Sequence, residues 1–347
     1  MKKIYTFFLV AMITATGYAT QWSVSNSPQN PGQFASIVAA VASGSVLNGD
    51  TLLVHPTATV YSTFFLSKSL VIIGGGFNEN KVLPYYTQVQ QIFLSAGCSG
   101  SKFYGITITS GISTSGFGPV ANDLTFEDCY LPNSGSLSFT DNFYPTNLVV
   151  RNCIMGQINL GNVINSSAVF INCIFTGFGP YISQGSLVVS HCTFIATYGS
   201  SMLGNVQNAI IQDCIFYNSG FQGFYLAPPS NCSFTNCMSF NGNPNTLPPA
   251  GNSGANNQSN VNPNFVNNPI NTGFEFTRDY HLQAGSPALT AAADGGQIGV
   301  YGGGSTFSLT GEPLNSAITR YFNINNSVVP VNGNLNINLM VTKPIGQ

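Results

Sequence analysis

Residues able to do chemistry are scarce in this 347-residue chain. It holds nine Lys and Arg, eleven Asp and Glu, three His and eight Cys. Hydrolysis of a glycosidic bond needs two carboxylates about 5–10 Å apart. A zinc site needs His and Cys at close spacing. Neither pattern is written here. His55, His191 and His281 are scattered, and no C-x-x-C pair occurs among the cysteines. The adjacent acids Glu127 and Asp128 should point to opposite sides of a strand. The recurring acids are Asp128 and Asp213, in phrases separated by several others.

What the cysteines do show is a repeat. The phrases are LTFEDCYL at Cys129, LVVRNCIM at Cys153, AVFINCIF at Cys173, LVVSHCTF at Cys192, AIIQDCIF at Cys214 and SFTNCMSF at Cys237. A period of about 20 residues with variable spacers marks a solenoid with insertions in its loops. The phrases are β-branched and aromatic, and the spacers are rich in Gly, Asn, Pro and Ser, so strands are expected throughout.

One unit places Leu148 and Val150 inward and Arg151 outward. The residue before each Cys is Asp128, Asn152, Asn172, His191, Asp213 or Asn236, a set suited to a one-residue left-handed bend. After the bend, Cys153 and Met155 turn inward and Ile154 outward. A third strand follows in each unit, at 137–140, 158–161, 181–183, 202–204 and 224–226. The fold class is therefore all-β: a right-handed parallel β-helix with three strands per rung. Stacked cysteines have parallel Cβ vectors, which suits free thiols better than bridges. Cys232 and Cys237 retain the alternative of a local bridge, and Cys98 has no evident partner.

Only 6% of residues are charged and the net charge is −2, which gives nucleic acid and anionic membranes nothing to hold. With 44% hydrophobic residues and 26 Phe, disorder is excluded. The basic Lys2–Lys3, the short apolar run from Ile4 and the small Gly17 and Ala19 read as a signal peptide over residues 1–19. The apolar run is shorter than the roughly 20 residues a span requires, so no membrane span is expected in the mature chain. Residues 20–97 are expected to form the N-terminal cap and first rungs, and 98–303 the β-helix, with a long loop at 241–262. Residues 304–347 are expected to add C-terminal strands, with NLNINLMV pairing with or capping the last rung. A short helix with a stripe of Phe34, Ile37, Val38 and Val41 would close the first end.

Three further stretches carry a family resemblance: residues 34–56 (FASIVAAVASGSVLNGDTLLVHP), SKSLVIIGGG at 67–76, and NVNPNFVN with DYHLQAGSPALTAAADGGQIGVYGG ending at 303. The chain resembles secreted bacterial right-handed parallel β-helix proteins of the pectin-lyase-like superfamily, choice-of-anchor type. The resemblance implies an N-terminal cap, following rungs and closing rungs. Asn262 and Gln297 stand where that pattern has acids.

The resemblance also implies that a polysaccharide site would lie on one outer face. A uronate lyase needs a cation and a Lys or Arg base there. On the third-strand face the outward residues are Ser138, Thr140, Asn159, Ser183 and Tyr225, with Asp141 at its border and no base beside it. His191 is expected to be a bend residue and His281 structural; a site built from 241–262, Asp279 and His281 is a separate possibility. The expectation is therefore a secreted or cell-surface protein that binds glycan or another surface polymer without catalysis. Its ligand residues would be Asn159, Tyr181, Tyr225 and Asp141, with no catalytic residue, metal or cofactor. The alternatives are a polysaccharide lyase or glycoside hydrolase of the same fold, and a scaffold or adhesin.

Overall fold

The computed structural model describes residues 19–78, 85–114, 121–139, 145–160, 166–177, 179–181, 185–196, 203, 206–218, 228–242, 245–270, 272–312, 318–324 and 337–342. The expected signal peptide lies outside them, but for Ala19.

The repeated phrase builds a right-handed parallel β-helix. Its first stack is an 11-stranded parallel sheet running from Gln21–Val24 to Ser253–Ala255. The second and third stacks share a 12-stranded sheet, and one long strand can serve both. Tyr130–Ser138 pairs through Tyr130 and Leu131 in the second stack, shifts register, then pairs through Ser136 to Ser138 in the third.

Alternation sorts the first stack as expected: Leu148 and Val150 are buried, and Arg151 is exposed. The bends also fall at the expected residues. Asp128, Asn152, Asn172, His191, Asp213 and Asn236 all have φ between 50° and 55°. Beyond them the six cysteines form one buried inward column, and all eight cysteines are free. Each thiol fits its bend by donating to the carbonyl two residues back, as Cys153 Sγ does to Arg151 O at 3.1 Å. Inward rings stack from rung to rung, Phe103 on Phe126 at 4.7 Å and Phe194 on Phe216 at 4.7 Å.

A second bend column, before the first-stack strand, was not read from the sequence. Asp123, Asn147, Asn208 and Asn231 also have positive φ. They pair across rungs, Asn147 Nδ2 donating to Asp123 Oδ1 at 2.9 Å.

Both ends depart from expectation in detail. The capping helix Ile37–Ala42 has only six residues, and Ser36 Oγ accepts the Ala39 N–H at its start. So short a helix presents one narrow face. Ile37, Ala40 and Val41 fill it, while Val38 is 45% exposed. At the other end, residues 241–262 hold more than a surface loop. Ser253–Ala255 within them pairs with Ser233–Thr235 as the last rung of the first stack. Asn252 and Asn257 finish the cysteine positions: their Oδ1 atoms accept the N–H of Cys232 and Cys237, both at 2.9 Å. In earlier rungs the next thiol takes this place, as where Cys129 N–H donates to Cys153 Sγ at 3.4 Å, and the amide oxygen is the stronger acceptor.

The largest difference concerns the residues after Val261, expected to add closing rungs. Phe265–Asn267 and Asp279–Leu282 pair antiparallel instead. The chain then runs back as a strap along the outside of the second stack. Its contacts descend the rungs in order. Gly299 N–H donates to Asp213 O at 2.8 Å. Val300 N–H donates to Thr193 Oγ1 at 3.0 Å. Asn172 Nδ2 donates to the carbonyls of Val300 and Gly302, at 3.0 and 2.9 Å. Asn152 Nδ2 donates to Thr306 Oγ1, and Phe77 N–H to Thr310 O, each at 2.9 Å.

Ile154, Ile174, Ile195 and Ile215 therefore point out of the coil, as alternation requires, yet are 0–1% exposed. They pack with Phe265, Tyr280, Ile298 and Val300 in a second core outside the first. The expected fate of Ile154, outward and hence in water, is corrected here. The C-terminal strand Ile337–Thr342 pairs antiparallel with Ile318–Ile324 in a separate two-stranded sheet, not with the last rung.

Candidate functional site

With the second stack covered, two outward faces remain to be considered. On the third stack, strand register aligns Phe65, Phe93, Ser113, Ser138, Asn159 and Tyr181 on six successive rungs. The alternating burial of Phe64–Leu66 and Ile92–Leu94 turns Phe65 and Phe93 out. Asn159 is exposed, and Ser113 and Ser138 are half-buried. No charged residue stands in this row. Of the four residues expected to bind, the structure brings Asn159 and Tyr181 into direct register. Tyr225 and Asp141 lie outside the described residues.

The two phenylalanines were missed in the sequence. Their rings stack at 4.9 Å with planes 18° apart, and Phe65 is 59% exposed. The signal was available as FFLS at 64–67 and IFLS at 92–95, whose middle aromatic must face outward if its neighbours face in.

On the first stack the outward side chains include Val149, Val169, Val188 and Ile210, which are mostly apolar and partly exposed. Charge enters this face at two places: exposed Lys102 stands in the same row, joined to Val149 through Thr125, and a neighbouring row carries a cluster. Tyr104, Glu127 and Arg151 are aligned on three successive rungs. Burial, and then the charge of Glu127, raises the Tyr104 hydroxyl above its ordinary pKa.

The repeating acids have structural employment. Asp128 and Asp213 are each 2% exposed. Asp213 Oδ1 accepts the Ala293 N–H at 3.0 Å and Asn236 Nδ2 at 3.2 Å, tying a bend to the strap. His191 occupies its bend as expected. Its Nδ1 lies 3.0 Å from Ser190 Oγ, and its Nε2 is 3.8 Å from Asp213 Oδ2. Gly302 and Gly303 press on the imidazole, where a Cβ would come within 3.0 Å of ring atoms. Such a ring has no room for substrate.

Asp279 and His281 do meet on the strap. Asp279 Oδ1 is 2.6 Å from His281 Nδ1, and the imidazole lies flat on Tyr301 at 3.8 Å. Burial alone would raise the Asp279 carboxyl, but hydrogen bonds from His281 hold it below 3.8. His55 is exposed just beyond the strand Thr51–Val54. Among the described residues, no three His, Cys, Asp or Glu are placed to hold a metal ion. No described helix is long and apolar enough to cross a membrane. Burial raises the thiols of Cys153, Cys192, Cys214 and Cys237, which makes them poor nucleophiles and ligands.

No family model matches the chain, and no curated protein matches it. Among solved structures it is similar to pectate lyase Pel9A, with a TM-score of 0.51 and 13% identity over 82% of this chain and 96% of that one. The likeness shows a pectin-lyase-like β-helix fold and nothing finer at this identity.

Proposed function

We propose that the protein is exported and holds a linear polysaccharide or similar surface polymer against its third stack, without cleaving it. The observation that carries this reading is the uncharged row in which Ser113, Ser138 and Asn159 stand in register on successive rungs, with Tyr181 next in line. Hydroxyls and an amide in one line, about 4.8 Å apart, suit the repeating hydroxyls of an extended sugar chain. Export rests on the leader at residues 1–19, and a surface setting of the choice-of-anchor type on the family resemblance. The structural neighbour is a pectate lyase, which supports polysaccharide as the ligand class.

The enzymatic alternative has its own observation, the aligned Tyr104, Glu127 and Arg151. A guanidinium and a carboxylate on neighbouring rungs offer a cation and a base for a uronate polymer. Glycan-array binding, run beside an assay for unsaturated uronates with and without calcium, separates the two. Binding without product supports the first reading. Product that disappears in Glu127→Gln or Arg151→Ala establishes the second. A protein that neither binds nor cleaves any polymer is a scaffold, and both readings fall.

A further inference from the structure

The stacked pair Phe65 and Phe93 has no partner in the coil's core. An outward Phe that is 59% exposed is costly for solubility, and a solenoid rung could be closed there by a Ser, as it is at Ser113 and Ser138. The pair lies in the same register row as Asn159, toward the N-terminal end.

Resting on the function just proposed, we infer that Phe65 and Phe93 form a stacking subsite that continues the binding row. The polymer they select is an uncharged chain of β-linked hexopyranose. First, the row carries no charge, so nothing in it would offset the desolvation of a uronate carboxylate. Second, β-linked hexopyranoses with equatorial substituents present flat C–H faces, and the two rings, stacked on each other at 4.9 Å with planes 18° apart, leave the outer face of Phe65, 59% exposed at the edge of the sheet, to receive one. Third, the row is straight because the coil is, and its six rungs span roughly 24 Å. An extended ribbon follows such a line; an α-linked chain that curls would leave it.

Other occupants fit less well. Two Phe side chains offer at most about 500 Å² of apolar area, against roughly 800 Å² per partner in a stable protein interface, and the next residues in the row are Ser113 and Ser138. Single-stranded nucleic acid stacks on aromatics but also needs a positive groove, which this row lacks.

The test is calorimetric titration with cellohexaose, maltohexaose and oligogalacturonate on wild type, Phe65→Ala, Phe65→Tyr and Tyr181→Ala. Melting curves check folding, and sedimentation at two concentrations reports self-association. The expected result is that cellohexaose binds, maltohexaose and oligogalacturonate do not, and Phe65→Ala weakens binding at least about fivefold while Phe65→Tyr retains it. If Tyr181→Ala weakens binding and Phe65→Ala leaves it unchanged, the stacking subsite is wrong and the polymer-binding face survives. If neither variant changes cellohexaose binding, both ideas fail. Preference for oligogalacturonate, or no binding of any probe, overturns the assignment of an uncharged β-linked chain. Self-association lost only in Phe65→Ala would make the platform a contact between copies and overturn the subsite.

Discussion

Two outward rows of the same coil have opposite fates. Ile154, Ile174, Thr193 and Ile215 leave the second stack in one register and are sealed under the strap. Phe65, Phe93, Ser113, Ser138 and Asn159 leave the third stack and meet water or are only half-covered. Both rows obey the same alternation. The difference lies in what the distant chain does: residues 261–311 cover one row and leave the other. A strand's pleat decides inside or outside the coil, and only tertiary packing decides dry or wet.

The comparison breaks first at Ile174. Ile174→Ala should cost about 2–5 kcal/mol in denaturant unfolding, the range for emptying a packed site. Ser138→Ala, equally outward, should stay within about 0.5 kcal/mol. Equal small effects would mean that the strap does not seal its row.

Asn172 tests how the strap is held. Leu there must keep φ near 52° and loses two amide bonds to strap carbonyls. A loss of about 2–4 kcal/mol is expected for Asn172→Leu from strain plus unpaired carbonyls. Asn147 has φ 58° and its amide bonds exposed Asp123 rather than the strap, so Asn147→Leu should cost the strain and that one solvent-exposed bond, about 1–3 kcal/mol. Chevron or melting data giving the same loss at both sites would remove the strap from the account.

These pairs also mark how far the residues themselves could be read. The cysteine phase, the inward Leu148 and Val150 and the bends at Asn152 and Asn172 follow from local rules, since pleat and left-handed tolerance are properties of a few neighbouring residues. Cover is not local. Nothing within AVFINCIF says that residue 300 will lie across it, although an outward Ile repeated at 154, 174 and 215 is a hint that such positions are not left in water. The candidate row was half legible. Asn159 and Tyr181 follow from the third-strand phase, whereas Phe65 and Phe93 belong to rungs that lack the Asn-Cys phrase and so escape an alignment built on it.

The smallest effects are electrostatic and separate the cap from the strap. Burial alone would raise the Asp50 carboxyl. The N–H groups of Leu47 and Thr20 and the Trp22 indole, with Lys68 nearby, hold it below 3.8 instead. A carboxyl lowered on folding stabilises fully above its unfolded value of 3.8, and that stability is lost as pH falls through the lower folded value. The gap in melting temperature between wild type and Asp50→Asn should thus be widest at neutral pH and close in acid. Asp279 shifts in the same direction but is half-exposed, so solvent screens it, and Asp279→Asn should move the curve less. A larger acid-dependent loss at Asp279 would reverse the ranking of cap and strap.

The central claim is that the uncovered row, and no other face, holds polymer. Hydroxyl-radical footprinting of the native protein, with and without a saturating β-linked glucan oligosaccharide, reads this directly from aromatic side chains. Phe65 and Phe93 should be modified in the free protein and protected in the complex, while Tyr104 beside Glu127 on the first stack should not change. Protection at Tyr104 with Phe65 still reactive would contradict the account and place the ligand on the charged row of the first stack.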